Sequence, residues 1–165
     1  RLAQLANHYG DRIRTRVSTA DAVAEEVCAA DLVIGAVLVP GQRAPVVLPH
    51  SVLEQMRPGA VLVDIAIDQG GCFEDSRPTT HAEPVFKVGE VWMYCVTNMP
   101  GAVGSTATAA LTHATLPYIE KVANGWEQAF ERDATLARSL NVCAGTLRHP
   151  AVAKAFPQLP ADLPA

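Results

Sequence analysis

Two largely apolar runs, each closed by a glycine-bearing turn, constrain this chain more than any other feature. Asp31 to Val39 reads DLVIGAVLV and stops at Pro40-Gly41; Ala60 to Ile67 reads AVLVDIAI and stops at Asp68-Gln69-Gly70-Gly71. Neither run alternates polar with apolar residues, so neither suits a strand with one wet face. Short runs rich in Val and Ile suit parallel strands buried on both faces. Val91 to Met99 (VWMYCVTNM) is a third run of the same kind.

Helix-like segments alternate with these runs. Leu2 to Tyr9 reads as the end of a helix, with Leu2, Leu5 and Ala6 on one face and Gly10 as the stop. Ile13 to Val17 alternates and reads as a strand, its basic residues on the solvated face. Thr19 is placed to cap a helix over Ala20 to Ala29, in which Val23 and Val27 form an i, i+4 stripe. A short helix is expected around Ser51 to Met56, and Pro58-Gly59 makes a turn. Strands alternating with helices imply βαβ units and hence a parallel sheet. From Gly101 the character changes. Ser105 to Glu131 is nearly all helix-forming, with Pro117 expected to kink it and Gly125 as an interruption. A helix-rich tail follows, broken at Pro150 and fraying over Pro157 to Ala165. The domain boundary is expected near Gly104.

With 49% hydrophobic and 18% charged residues, the 165-residue chain is too apolar to be disordered. A net charge of −4 gives no electrostatic reason for nucleic acid or an anionic membrane as partner. The longest apolar run, Leu32 to Pro40, is far short of a bilayer span. No signal peptide is visible, but the chain begins at Arg1 without a Met, which leaves room for an N-terminal address upstream. Cys28, Cys72, Cys95 and Cys143 form no C-x-x-C pair and offer no metal-ligand spacing. Cys28 and Cys95 read as small core residues. The five histidines do not cluster, and Trp92 and Trp126 read as packing.

In open α/β sheets, ligands bind beyond the carboxyl ends of the strands. Three such ends are available. After the second run, Asp68 precedes Gln69-Gly70-Gly71, where paired glycines permit positive φ or close backbone approach. A carboxylate there either handles a proton near a bound ligand or caps a turn; spacing leaves both open. Asp64, mid-run, requires a partner, since an unpaired buried carboxylate is costly. After the third run, Asn98 either meets a carboxamide or carbonyl, or starts the turn before Pro100. Val37 and Leu38, at the first end, either flank a ribose or adenine or belong to the core. No G-x-G-x-x-G occurs, so a dinucleotide fold would place its phosphate turn upstream of Arg1.

These stretches resemble one family. ADLVIGAVLVPG (Ala30 to Gly41), MRPGAVLVDIAIDQGGCFE (Met56 to Glu74), SRPTTH (Ser76 to His81) and YCVTNMPGAV (Tyr94 to Val103) are similar to the C-terminal part of bacterial alanine dehydrogenases. ALTHATLPYI (Ala110 to Ile119) carries the likeness into the long helix. The resemblance implies an α/β fold: the second half of a Rossmann-type parallel sheet over residues 1–104, then a helical C-terminal part of the substrate domain over 105–165. It implies reversible NAD-dependent oxidative deamination of L-alanine to pyruvate and ammonia, in a cytoplasmic homo-oligomer. It marks Asp68 as the catalytic aspartate, and Ser18, Val37, Leu38, Ile65, Asp68, Val96, Asn98 and Met99 as cofactor contacts. The family's catalytic histidine, and its lysine and arginine for the substrate carboxylate, belong to the N-terminal half, so a complete site needs that half.

Two departures stand out: Gly104-Ser105 replaces a Pro-plus-basic pair, and the tail is only loosely related. One rival is the related alpha subunit of proton-translocating NAD(P) transhydrogenase, which does no amino-acid chemistry. Another is a non-catalytic remnant or interaction module.

Overall fold

Three short strands lie parallel and in register, and they set the frame for everything else. In the computed structural model, which describes residues 1–163, β1 (Leu32–Gly35) pairs with β2 (Val61–Asp64), Leu32 opposite Val61 and Gly35 opposite Asp64. On its other side β2 pairs with β4 (Val91–Tyr94), Leu62 opposite Met93. The edge strand β3 (Val85–Val88) runs antiparallel to β4, so the order is β1-β2-β4-β3. The parallel strands bring their carboxyl ends to one edge of the sheet.

The elements divide into two compact units: Arg1–Leu38 with Ala44–Thr97, and Val39–Arg43 with Asn98–Ala165. In the first unit, α1 (Leu2–Tyr9) ends at Gly10, and α2 (Ala20–Ala29) is capped by Thr19, whose hydroxyl accepts from the Ala22 amide at 3.2 Å. Val27 is buried and Val23 packs beside it, the expected stripe. The core joins Leu62 and Met93 of the sheet to Leu48, Val52, Leu53 and Phe73. Cys95 is fully buried, and Cys28 packs against this core.

Several expectations need correction. Ile13 to Val17 is extended but forms no strand, because no neighbouring strand among the described residues pairs with it. Arg16 instead holds Glu25 at 2.7 Å and Glu26 at 3.0 Å. The apolar runs make shorter strands than expected, and β1 is covered on one face only. Val33, Leu62, Met93 and Phe86 face the core, while Leu32 and Ile34 remain 56% and 58% exposed. The helix around Ser51 to Met56 begins at His50 and spans only His50–Leu53, as α3. The strand β3 lies in what reads as loop. Pro84 and Gly89 bracket only four residues, but Gly89 (φ +56°) with Glu90 makes the two-residue turn that closes Val88 against Val91.

In the second unit, a 3-10 turn (Met99–Val103) leads into α4 (Gly104–Ala123), which runs through Pro117. Gly125 separates it from α5 (Trp126–Arg132). Asp133 then caps α6 (Ala134–Ser139), accepting from the amides of Thr135 at 2.8 Å and Leu136 at 3.3 Å. A small hairpin, β5 (Val142–Cys143) and β6 (Thr146–Leu147), turns at Ala144-Gly145, both at positive φ. Pro150 does not break the tail; it opens α7 (Pro150–Ala155), where a missing N–H is harmless. The end expected to fray is tied by Arg148 to Asp162 at 2.6 Å, and its last two residues lie outside the described ones.

Two outcomes follow from this packing. A Cβ at Gly35 would overlap Cys72 Sγ and lie 2.6 Å from Phe73 Cζ, both buried. Gly35→Ala is expected to destabilise the first unit by about 1–3 kcal/mol in urea unfolding, as overpacking does; an unchanged midpoint would refute the fit. Lys121, 2.7 Å away, and the capped amides hold the Asp133 carboxyl down at about 2 from its ordinary 3.8. A depressed carboxyl stabilises the folded state above its unfolded value, and that contribution is lost as pH falls toward 2. An NMR titration of Asp133 in the wild type and in Lys121→Met should show the variant's midpoint higher; coincident curves would remove the pair from the account.

Candidate active site at the carboxyl edge of the sheet

The turn that carries Asp68 is built by Asp64. β2 ends at Asp64 because its side chain, not a neighbouring strand, takes the next free amide: Oδ1 accepts from Ala66 N at 2.9 Å. That bond curls the chain into a 3-10 turn, Ile65–Gln69. The return is made by glycine. Gly70 (φ +96°) and Gly71 (φ +76°) donate to the carbonyls of Ile67 and Ala66, both at 3.0 Å. Gly71 is needed for space as well as for φ, since a Cβ there would lie 2.6 Å from Ser76 Cβ and 3.0 Å from Asp64 Oδ2.

Asp64 is fully buried and also closes the far end of the turn. Its Oδ2 accepts from Cys72 N at 2.8 Å and from Ser76 Oγ at 2.5 Å. The Cys72 thiol donates to Oδ1 at 3.4 Å. Burial first, and the neighbouring Asp64 charge second, push that thiol up to about 12, so it stays protonated. Burial likewise raises Cys95. Neither sulfur has the exposed, electropositive setting of a nucleophile.

Asp68 projects from this tied turn. It is exposed, and none of the hydrogen bonds of the described residues uses its carboxylate. Beside it Ile65 is 51% exposed, an apolar side chain left open at a strand end. The Gln69 carbonyl accepts from Ala44 N at 2.8 Å, while its buried side-chain oxygen has no hydrogen-bond partner.

Beyond β1, Leu38 is 63% exposed. Val37 and Ser18 line a cleft of about 300 Å³ whose wall is mostly apolar, with Val33, Phe73, Arg16 and Glu26 also on it. Val96 is buried, and it stands opposite Thr79 in a backbone β-bridge, so its side chain is not open to a ligand. Ser18, Val37, Leu38, Ile65, Asp68 and Val96 thus all belong to the first unit. Asn98, exposed, and Met99, half-buried, start the second unit at its first 3-10 turn. His50 is exposed and pairs with Asp75 at 2.9 Å, a hydrogen bond that raises its pKa.

Sequence reasoning singled out Asp64 as needing a partner but not what it does. Ser76 carried no signal, because its link to Asp64 spans twelve positions and follows no spacing rule.

Comparison with known proteins agrees over most of the chain. Residues 1–150 match the family model described as alanine dehydrogenase/PNT, C-terminal domain. The alanine dehydrogenase of Mycolicibacterium smegmatis is 56% identical over 154 residues, covering 93% of this chain and 42% of the relative. That of Halomonas elongata is 55% identical over 157 residues, covering 94% and 42%. A solved L-alanine dehydrogenase superposes with a TM-score of 0.80 at 50% identity, covering 95% of this chain and 44% of that one. A transhydrogenase from Sinorhizobium meliloti superposes with a TM-score of 0.50 at 33% identity over 56% of this chain and 26% of that one. The chain therefore spans less than half the length of these relatives.

Proposed function

The chain belongs to the alanine dehydrogenase/PNT C-terminal domain family, and from that premise we propose that it is part of an NAD-dependent L-alanine dehydrogenase. The reaction is reversible: L-alanine, NAD and water give pyruvate, ammonium, NADH and a proton. The observation that carries the reading is Asp68, an exposed carboxylate without a partner among the described residues, on a tied turn at the carboxyl edge of a parallel sheet.

The residues present suit one half of a dinucleotide. Leu38 and Ile65, apolar side chains exposed at strand ends, offer walls to a planar ring. Ser18 offers a hydroxyl, and Val37 an apolar contact, at the adjoining cleft. Val96 contributes backbone; Asn98 and Met99 complete the set that the family resemblance marks for NAD. The phosphate turn is absent from these residues. When bound, NAD supplies the hydride acceptor for oxidation of the substrate Cα.

Asp68 provides the charge. Its free lone pairs accept from a substrate ammonium, or orient and stabilise a protonated base supplied by the other half of the enzyme. We place the first unit as the partial cofactor domain and residues 105–165 with the substrate domain, in a cytoplasmic homo-oligomer. No helix of the described residues is long and apolar enough to cross a membrane.

Transhydrogenase-like hydride transfer is the second reading. The Asp68-Gln69-Gly70-Gly71 turn and the higher identity to alanine dehydrogenases, 50–56% against 33%, favour the first. In the complete polypeptide, Asp68→Asn should lower turnover with alanine at least about 100-fold, the range of a lost proton-handling group, with NADH affinity nearly kept. Full turnover in that variant would sink the assignment. Pyruvate- and ammonium-dependent NADH oxidation separates the two readings. Residues 1–165 alone, lacking the phosphate turn, should show no alanine oxidation in a spectrophotometric NADH assay; measurable activity would overturn the division of labour between the two halves.

A further inference from the structure

Asp64 is an expensive residue for the place it holds. It is fully buried, and among the described residues no basic side chain pairs with it; two backbone amides, a hydroxyl and a thiol share its two oxygens. Ordinary strand stability would be served by an apolar residue of similar volume, because a buried carboxylate costs free energy unless its lone pairs are filled. The two amides lie two and eight positions along the chain, at opposite ends of the segment from Ile65 to Gly71. Asp68 stands in the middle of that segment, its carboxylate in no hydrogen bond among the described residues.

We propose that Asp64 is a positioning residue for Asp68: it ties both ends of the turn and so fixes the direction in which the Asp68 carboxylate leaves the sheet. This rests on the reading of Asp68 as the reacting carboxylate. Ser76 is the adjustable member of the clamp, since its hydroxyl reaches the same oxygen as Cys72 N. The two glycines give the chain the tight return that lets one side chain span the turn. A displacement of about 1 Å at a reacting group costs as much as 100-fold in rate, so a turn held at both ends is a direct route to catalytic geometry.

Asp64→Asn tests this well. Each carboxylate oxygen faces a backbone N–H that cannot rotate away, so whichever way the amide is turned, one N–H meets an NH₂ group. The experiment uses the complete polypeptide and four variants: Asp64→Asn, Ser76→Ala, Asp68→Asn and the Asp64→Asn/Asp68→Asn double. Turnover is measured on folded protein well below its melting temperature. Alongside it run NADH affinity by fluorescence and amide hydrogen exchange over Ile65 to Cys72.

Asp64→Asn is expected to lower kcat about 10- to 100-fold with NADH affinity within about threefold. Ser76→Ala should lower it less, and exchange should quicken within the turn in both. In the double variant the Asp64→Asn loss should vanish, because no carboxylate remains at position 68 to be misplaced. A merely structural Asp64 would instead multiply its loss onto that of Asp68→Asn, and that result overturns the proposal. So does wild-type kcat in Asp64→Asn. Should Asp64→Asn not fold, Ser76→Ala with unchanged kcat and unchanged exchange over the turn overturns it too. Asp68→Asn at full turnover would overturn the catalytic reading itself, and the positioning role with it. An impaired Asp68→Asn beside an unaffected Asp64→Asn defeats the positioning role alone.

Discussion

A carboxylate shut away from water must have its lone pairs filled, and in this chain that requirement shapes the carboxyl edge of the sheet. Asp64 takes the amide of Ala66, which ends β2 and starts the 3-10 turn; it takes the amide of Cys72, which ends the turn. The glycines at 70 and 71 are there because the chain has to double back within reach of one side chain. Ser76 brings in the following loop. Gly35, opposite Asp64 in the register, is bare because Cys72 and Phe73 fill the space its side chain would need. The local sequence around Asp68 thus answers to a neighbour that lies beneath it.

The parts of this that could be read from sequence are those set by local chemistry. The Thr19 cap and the Val23/Val27 stripe needed only helix periodicity. The apolar runs identified β1, β2 and β4, and the strand-end rule led to Asp68. Strand lengths could not be read, because the side chain of Asp64 competes with the ladder for an amide, a competition that hydrophobic pattern does not register. Expected burial on both faces also failed at β1. Leu32 and Ile34 have the composition of covered residues, but composition cannot say which chain segment does the covering. The edge strand β3 was hidden by its brevity, and Ser76 by its distance along the chain.

Membership of the family bears on what this stretch contributes and what it leaves to the rest of the relatives' length. Its strand tips hold apolar walls, a hydroxyl and one free carboxylate. The glycine-rich turn that anchors phosphates is not found among these residues. On the proposed reading the chemistry is divided between this stretch and the rest of the enzyme, and the accuracy of the join is part of it.

The two margins of the sheet differ in a way that governs how it can be extended. Along β3 the rim is short and twisted by its hairpin, enters from Pro84 and carries Lys87, features that discourage another strand from adding there. Along β1 the rim is parallel, uncharged and flanked by Leu32 and Ile34. A strand is therefore admitted beside β1 rather than beside β3, in either direction, since β4 itself takes a parallel neighbour on one side and an antiparallel one on the other, and it gains an apolar side to lie against as it docks.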